Sequence, residues 1–282
     1  MTQPLTHASA LGVDLGATLS KLAICDAEGE LHFESIPTDD LERVEERIEA
    51  LGPRNIGLTG GGASRLAERL GSACTRTDEF TAWGAGARRL LEADALAGDT
   101  RNLLVSLGTG TSILLMDGEN TMRVGGTALG GGTVIGLAGA LLGTNEFNEV
   151  RRLAQNGDRA QVDLVVKDIY RPGEIPLDDE LTAASFGKLG HPSMTPESKR
   201  PENLAAAIMG LVGENVGLIC AGLSYATQVQ RVVYAGSTLH DNGYLRSVLH
   251  SITSNAGRTP VFLPHGEYGG ATGALVLASP TA

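Results

Sequence analysis

Cysteine is scarce: the chain has three, Cys25, Cys74 and Cys220. They are odd in number, far apart and form no CxxC pair, which argues against a disulfide framework or a zinc site and suits a reducing cytoplasm. Basic residues are also few, 22 Lys and Arg against 33 Asp and Glu, for a net charge of −11. That balance argues against nucleic acid as a partner, because neutralising phosphates takes clustered Lys and Arg. An anionic ligand must instead be met by a locally basic site. The six histidines show neither HxH nor HExxH spacing, so no metal site is assigned to them. No basic segment followed by an apolar run opens the chain, so a secretory signal is not expected. The longest apolar stretch, Leu204 to Ala226, carries Glu214 and Asn215 at its middle. It reads as a core helix, not a membrane span. The GxxxxGK[ST] phosphate loop is absent as well.

Glycine is abundant instead. There are 38, where about 20 would be expected at the usual ~7%, so many turns or close approaches of backbone to a ligand are implied. With 282 residues, 42% of them hydrophobic, and a mean hydropathy of +0.01, one or two packed lobes are expected. From Leu11 the text alternates as strand, Gly16-Ala-Thr turn, strand, Asp26-to-Gly29 turn and strand, the pattern of a hairpin meander. Leu41, Val44, Ile48 and Leu51 then recur at helical spacing, with Asp39 or Asp40 as N-cap and Gly52 past the end. A short strand at 55–59, a helix near 64–70 and a longer helix from about Glu79 to Ala97 follow. At Leu103 the grammar restarts: strand, Gly108-Thr-Gly-Thr turn, strand, Asp117-Gly118 turn, strand. Two copies of this unit, each followed by helices, predict an internal duplication. The N-terminal lobe is expected over 1–98 and the C-terminal lobe over 99–282. An insertion at about 158–201 reads as a mobile cap or an oligomer contact.

Four segments carry candidate chemistry. In Asp14-Leu15-Gly16-Ala17-Thr18-Leu19-Ser20-Lys21, a Gly/Thr turn offers backbone N–H groups and hydroxyls to phosphate oxygens, with Lys21 as cation. Asp14, at the end of the first strand, can hold magnesium through water. Gly108 to Ser112 repeats the device, and the two turns together can clasp one triphosphate between the lobes. Arg123 precedes a glycine loop ending in Gly131-Gly132-Thr133, which runs into an apolar helix from Val134 to Leu142. Glycines there would expose helix N–H groups to an anion, and Arg123 would anchor a carboxylate. Ala235-Gly236-Ser237-Thr238 follows an apolar strand (229–234), precedes a helix near Asn242 and could seat adenosine. Asp78-Glu79 opens the long helix, where a carboxylate suits either the helix dipole or a catalytic base.

Two such turns in duplicated lobes, with the later Gly-Ser turn, resemble the actin/hexokinase/heat-shock-ATPase superfamily. Within it the text resembles the type II pantothenate kinases. The similarity lies in GVDLGATLSKLAI at 12–24, TGGGA at 59–63, DEF at 78–80, SLGTGTSILL at 106–115 and RVGGTALGGGTVIGLAGALL at 123–142. It continues through 147–158, DLVVKDIY at 163–170, TAASFGK at 182–188 and YAGSTLHDN at 234–242, so it spans nearly all of residues 11–278. The implied fold is α/β, with two duplicated lobes of mixed sheet plus helices (actin-like, ribonuclease H-like) and ATP in the cleft between them.

The resemblance implies that Glu79 is the general base for the pantothenate hydroxyl, and that Ser112 and Arg123 hold that substrate. Asp14 to Lys21, Thr109, Gly131 to Thr133 and Ser237 would hold ATP with Mg2+, and Phe147 would stand beside the nucleotide. It also implies a homodimer, with coenzyme A or acyl-CoA as candidate regulator. Two departures stand out: Ala17 replaces a usual glycine, and His265-Gly-Glu-Tyr268 replaces His-Glu-Gly-Tyr. The competing readings are a kinase of pantetheine or an amino sugar, and a nucleotide- or CoA-sensing protein without catalysis. Retention of Asp14, Lys21, Glu79 and Arg123 speaks against the sensor.

Overall fold

Two five-stranded sheets with the same internal order organise the chain. The computed structural model describes residues 5–279 apart from 6, 72, 73, 97, 99, 100, 172 and 177. β1 (Ala10–Leu15), β2 (Leu19–Cys25) and β3 (Leu31–Pro37) form the antiparallel meander. After α1 (Leu41–Leu51), β4 (Asn55–Thr59) joins β1 in parallel. α2 (Ala63–Leu70) leads to the two-residue β5 (Thr75–Arg76), and α3 (Glu79–Ala93) follows. The second run begins with another antiparallel meander, β6 (Arg101–Leu107), β7 (Thr111–Asp117) and β8 (Asn120–Thr127). Then come α4 (Gly131–Leu142), α5 (Phe147–Ala154), the small pair β9 (Leu164–Val165) and β10 (Thr182–Ala184), and α6 (Pro201–Thr227). β11 (Arg231–Ala235), α7 (Gly243–Asn255), β12 (Thr259–Phe262) and α8 (Gly269–Ala278) complete it. The sheets run β3-β2-β1-β4-β5 and β8-β7-β6-β11-β12, strand for strand the same path. The fold is α/β with a duplicated mixed sheet, as the text of the two repeats predicts.

Local chemistry sets the element ends. Asp40, not Asp39, caps α1 by accepting the Arg43 N–H (3.2 Å), and Gly52 ends it in the left-handed region. Asp78 caps α3 by accepting from the Phe80 and Thr81 N–H groups (3.1 and 3.0 Å). α3 stops at Ala93, short of the expected Ala97, which lies outside the described residues. α4 begins at Gly131, three residues before the expected Val134. α8 has no sequence prediction because its text, Gly-Gly-Ala-Thr-Gly-Ala-Leu-Val-Leu-Ala, shows no polar face to betray a helical period.

Packing produces five layers. α1 and α2 cover one face of the first sheet through Leu41, Val44, Ile48, Leu51 and Leu66. α4 to α7 cover one face of the second, where α6 runs as a core helix with residues 203–210 all buried. Between the sheets lie α3 and α8, each on the sheet built by the other half of the chain. Trp83, Ala87, Leu90 and Leu91 of α3 pack on Leu104, Leu114 and Met116 of the second sheet. Ala271 and Leu275 of α8 pack on Ala10 and Ala23 of the first. The lobe boundary expected near residue 98 groups α3 with the first sheet and α8 with the second, whereas each packs on the other one; residues 97, 99 and 100 beside that boundary are outside the described set. The two helices cross with backbones in contact. A Cβ on Gly86 would stand 1.9 Å from the Gly269 carbonyl oxygen, and one on Gly273 would stand 1.7 Å from that of Ala82.

The 158–201 insertion is fastened to α6. Arg159 donates to Asp163 (2.7 Å), Thr182 (2.7 Å) and Glu214 (2.8 Å). Asp163, fully buried, also accepts the Phe186 N–H at 2.8 Å.

Two stability predictions follow from this packing. Gly273→Ala forces the α3–α8 crossing apart and should cost at least ~1–3 kcal/mol, read as a lower denaturant midpoint; an unchanged midpoint would refute the close crossing. Arg159→Ala leaves the buried Asp163 charge without its cation and should cost about 3–5 kcal/mol. A loss below about 0.5 kcal/mol would match a surface pair instead.

Candidate active site

The turn between β1 and β2, the turn between β6 and β7, and the start of α4 meet in one cleft of about 980 Å³. Register explains the first corner. Asp14 and Lys21 are direct partners across the β1–β2 hairpin, so the carboxylate and the cation emerge side by side at its tip. The Lys21 Nζ lies over the turn, 3.6 Å from where a Cβ on Gly16 would sit. Leu15, Gly16, Ala17, Thr18 and Leu19 line the cleft with them. Ser20 does not: it points into the lobe, with its Oγ 3.3 Å from the Thr38 Oγ1.

The second corner is stitched to the third. The Gly131 N–H donates to the Gly108 carbonyl (2.8 Å), and the Gly132 N–H donates to that of Thr109 (2.9 Å). The expectation of free N–H groups at this helix start is therefore corrected: the second turn consumes two of them. Thr109, Gly131, Gly132 and Ser112 nevertheless line the cleft. Thr133 does not; its hydroxyl donates to the Ala128 carbonyl (3.1 Å) and accepts the Gly130 N–H (3.3 Å), closing the loop. Ser237 enters from the turn after β11. There Gly236 has φ 106°, and a Cβ on it would sit 2.3 Å from the Leu107 carbonyl oxygen. Phe147, the first residue of α5, forms part of the same wall.

Arg123 reaches the cleft through an irregularity in β8. The register slips between Ile113 and Leu114, so that Gly125 and Arg123 pair with them and Val124 is extra. A bulge of this kind re-aims the flanking side chains. The guanidinium folds over Gly126 and pairs with no carboxylate among the described residues. Glu79, the first residue of α3, lines the same cleft.

Electrostatics mark Asp14 and Glu79. Burial raises the Asp14 pKa above the ordinary aspartate value, and the Lys21 cation pulls it back. The Glu79 pKa is raised first by its partial enclosure and then by the Asp14 charge, with Lys21 opposing. Glu79 remains open to the cleft. It is an ionisable carboxylate at the cleft wall whose pKa burial and the Asp14 charge push up, the setting a proton acceptor needs.

Known proteins match this arrangement in sequence and in fold. Residues 100–277 match the Fumble family. The type II pantothenate kinase of Bacillus anthracis is 34% identical over 275 residues, covering 96% of this chain and 98% of that one. That of Staphylococcus haemolyticus is 35% identical over 267 residues, covering 95% and 99%. The chain belongs to the type II pantothenate kinase family. The fold is shared more widely. The Clostridium difficile activator of 2-hydroxyisocaproyl-CoA dehydratase, solved with ADPNP, superposes with TM-score 0.63 at 15% identity, covering 95% and 93%. A ROK family glucokinase from Streptomyces griseus, solved with glucose and AMPPNP, gives 0.62 at 13%, covering 95% and 98%.

The family departures fall in two different places. Ala17 sits exposed at the hairpin tip within the cleft wall. His265 and Tyr268 lie outside it: both rings stack on Phe33 at 4.8 Å, and the Ser35 hydroxyl donates to the Tyr268 hydroxyl at 3.1 Å. They join β3 to the second lobe. Residues without a sequence-based role also line the cleft, among them Gly60 to Gly62, Trp83, Ser106 and Asn145. TGGGA at 59–63 signals a turn, and Trp83 signals an apolar helix face; neither pattern reveals what it faces.

Because the Glu79 pKa is raised, the acidic limb of kcat/KM should fall above the ordinary glutamate range, with activity lost as pH drops through it. A limb at or below that range would refute this electrostatic setting.

Proposed function

We propose that the chain transfers the γ-phosphoryl group of ATP to the hydroxyl of pantothenate, giving 4'-phosphopantothenate at the first step of coenzyme A biosynthesis. The observation that carries this reading is an unpaired arginine and a pKa-raised glutamate facing one cleft with two Gly/Thr turns, in a family of this activity. Glu79 takes the proton as the hydroxyl attacks phosphorus. Arg123, with Ser112 nearby, holds the pantothenate carboxylate and so sets the hydroxyl in line.

ATP lies across the turns from Asp14 to Lys21 and at Thr109, Gly131 and Gly132, with its base end towards Phe147 and Ser237. Lys21 and the turn amides offset charge on the transferring group, which is most of what such catalysis requires. Ser20 and Thr133 shape the turns without touching ligand. Asp14 is buried, and no protein donor among the described residues binds its carboxylate. One carboxylate beside phosphate oxygens fits a hydrated magnesium ion, which would supply further charge neutralisation there.

The reaction belongs in the cytoplasm, in keeping with three unpaired cysteines. The active form is a homodimer: Leu141 on α4 and Leu218 and Tyr225 on α6 stand 42%, 60% and 58% exposed, apolar surface that a second copy would cover.

ADP release offered pantothenate, pantetheine and N-acetylglucosamine in parallel should proceed fastest with pantothenate. Glu79→Gln should lower kcat by roughly 10²–10⁴-fold while ATP still binds, and Arg123→Ala should raise the pantothenate KM far more than the ATP KM. Preference for pantetheine would remove the carboxylate contact, and no turnover with any of the three would favour a sensor. Sedimentation should give about twice the 29.2 kDa chain mass; a monomer would reject the dimer.

A further inference from the structure

Trp83 lines the cleft yet has no part in the chemistry above. It is the single tryptophan of the chain. α3 carries it four residues beyond Glu79, so the two side chains share one helix face. The ring is held rigidly. It is 5% exposed and packs on Leu104, Leu114 and Val233. A Cβ on Gly269 would sit 2.5 Å from the ring atom Cζ3.

Its polar edge lies next to the reacting centre. A Cβ on Gly270 would be 2.5 Å from the Asp14 Oδ2 and 3.3 Å from the Trp83 Nε1, so indole and carboxylate flank the same backbone position. No acceptor among the described residues takes the indole N–H, and the Nε1 is not sealed among the buried unpaired atoms. A packed tryptophan normally satisfies its N–H with a partner. Here the open direction is the cleft.

We propose that Trp83 is a further contact residue for the reaction: its indole N–H donates to the oxygen held between Asp14 and Glu79. That oxygen belongs either to the transferring phosphoryl group or to the acceptor hydroxyl. The indole keeps its proton throughout, and the hydroxyl proton goes to Glu79. A neutral donor on an immobilised ring stabilises developing negative charge without reorganisation and without placing a second cation beside Lys21. The inference rests on the kinase reading only in requiring a phosphate or alcohol oxygen in the cleft; it does not depend on pantothenate being the alcohol.

Trp83→Phe keeps the ring and removes the N–H. Its kcat should fall about tenfold, the effect of one lost hydrogen bond to a charged group, with the ATP KM and the thermal midpoint essentially unchanged. In the wild-type protein the single indole N–H resonance of a nitrogen-15-labelled sample should move downfield on ligand binding. Movement with magnesium and a non-hydrolysable ATP analogue alone identifies a phosphate oxygen; movement only after pantothenate is added identifies the hydroxyl. An indole signal unmoved by both, full kcat in Trp83→Phe, or a kcat loss matched by lost thermal stability would each overturn the proposal. Wild-type protein that shows the analogue-induced shift but no pantothenate turnover rejects the substrate and keeps this contact. Turnover with an unmoved indole does the reverse.

Discussion

The close crossing of α3 and α8 is the constraint on which the rest depends. Gly86 and Gly273 let two backbones meet where any side chain would intrude, and each helix covers the sheet built by the other half of the chain. The duplicated sheets are thereby held by their crossing helices and by the Phe33–His265–Tyr268 stack. α3 is also the helix whose first turn presents Glu79 to the cleft. Relative motion of the lobes, the expected route to closure in this type of site, must pass through the element that carries Glu79.

The cleft combines rigid and open parts for physical reasons. The second turn and the start of α4 bind each other through the Gly108 and Thr109 carbonyls, so that wall is fixed before any ligand arrives. Charge, by contrast, is left unsettled: Asp14 is buried at an unfavourable cost, Glu79 is pushed up, and Arg123 has no carboxylate partner among the described residues. A polyanionic nucleotide with its metal and a carboxylate substrate would complete these groups together. The net charge of −11 makes that local arrangement necessary, since no global field draws anions in.

Much of this was legible in the sequence because it repeats. The strand–turn–strand grammar at Leu11 and again at Leu103 specifies both meanders, and the Asp14–Lys21 spacing follows from a tight hairpin register. What resisted reading depends on long-range packing. α8 shows no period because it carries no polar side chain but Thr272 and is buried all round from Gly269 to Leu275, and the sheet exchange of α3 and α8 has no local signature. The α4 glycines read as free donors until the Gly108 and Thr109 carbonyls appear beside them. Ser20 and Thr133 carry the right chemistry in the right segments but face inward, a matter of strand alternation and loop closure. Trp83 belongs to the same group: an apolar face in sequence, a cleft floor in space.

The most direct measurement is a crystal structure with a non-hydrolysable ATP analogue, magnesium and pantothenate together. The acceptor hydroxyl should lie within hydrogen-bond reach of Glu79, the pantothenate carboxylate on the Arg123 guanidinium, and the γ-phosphate between the two Gly/Thr turns. A hydroxyl directed away from Glu79, or a carboxylate bound elsewhere in the cleft, would contradict this placement.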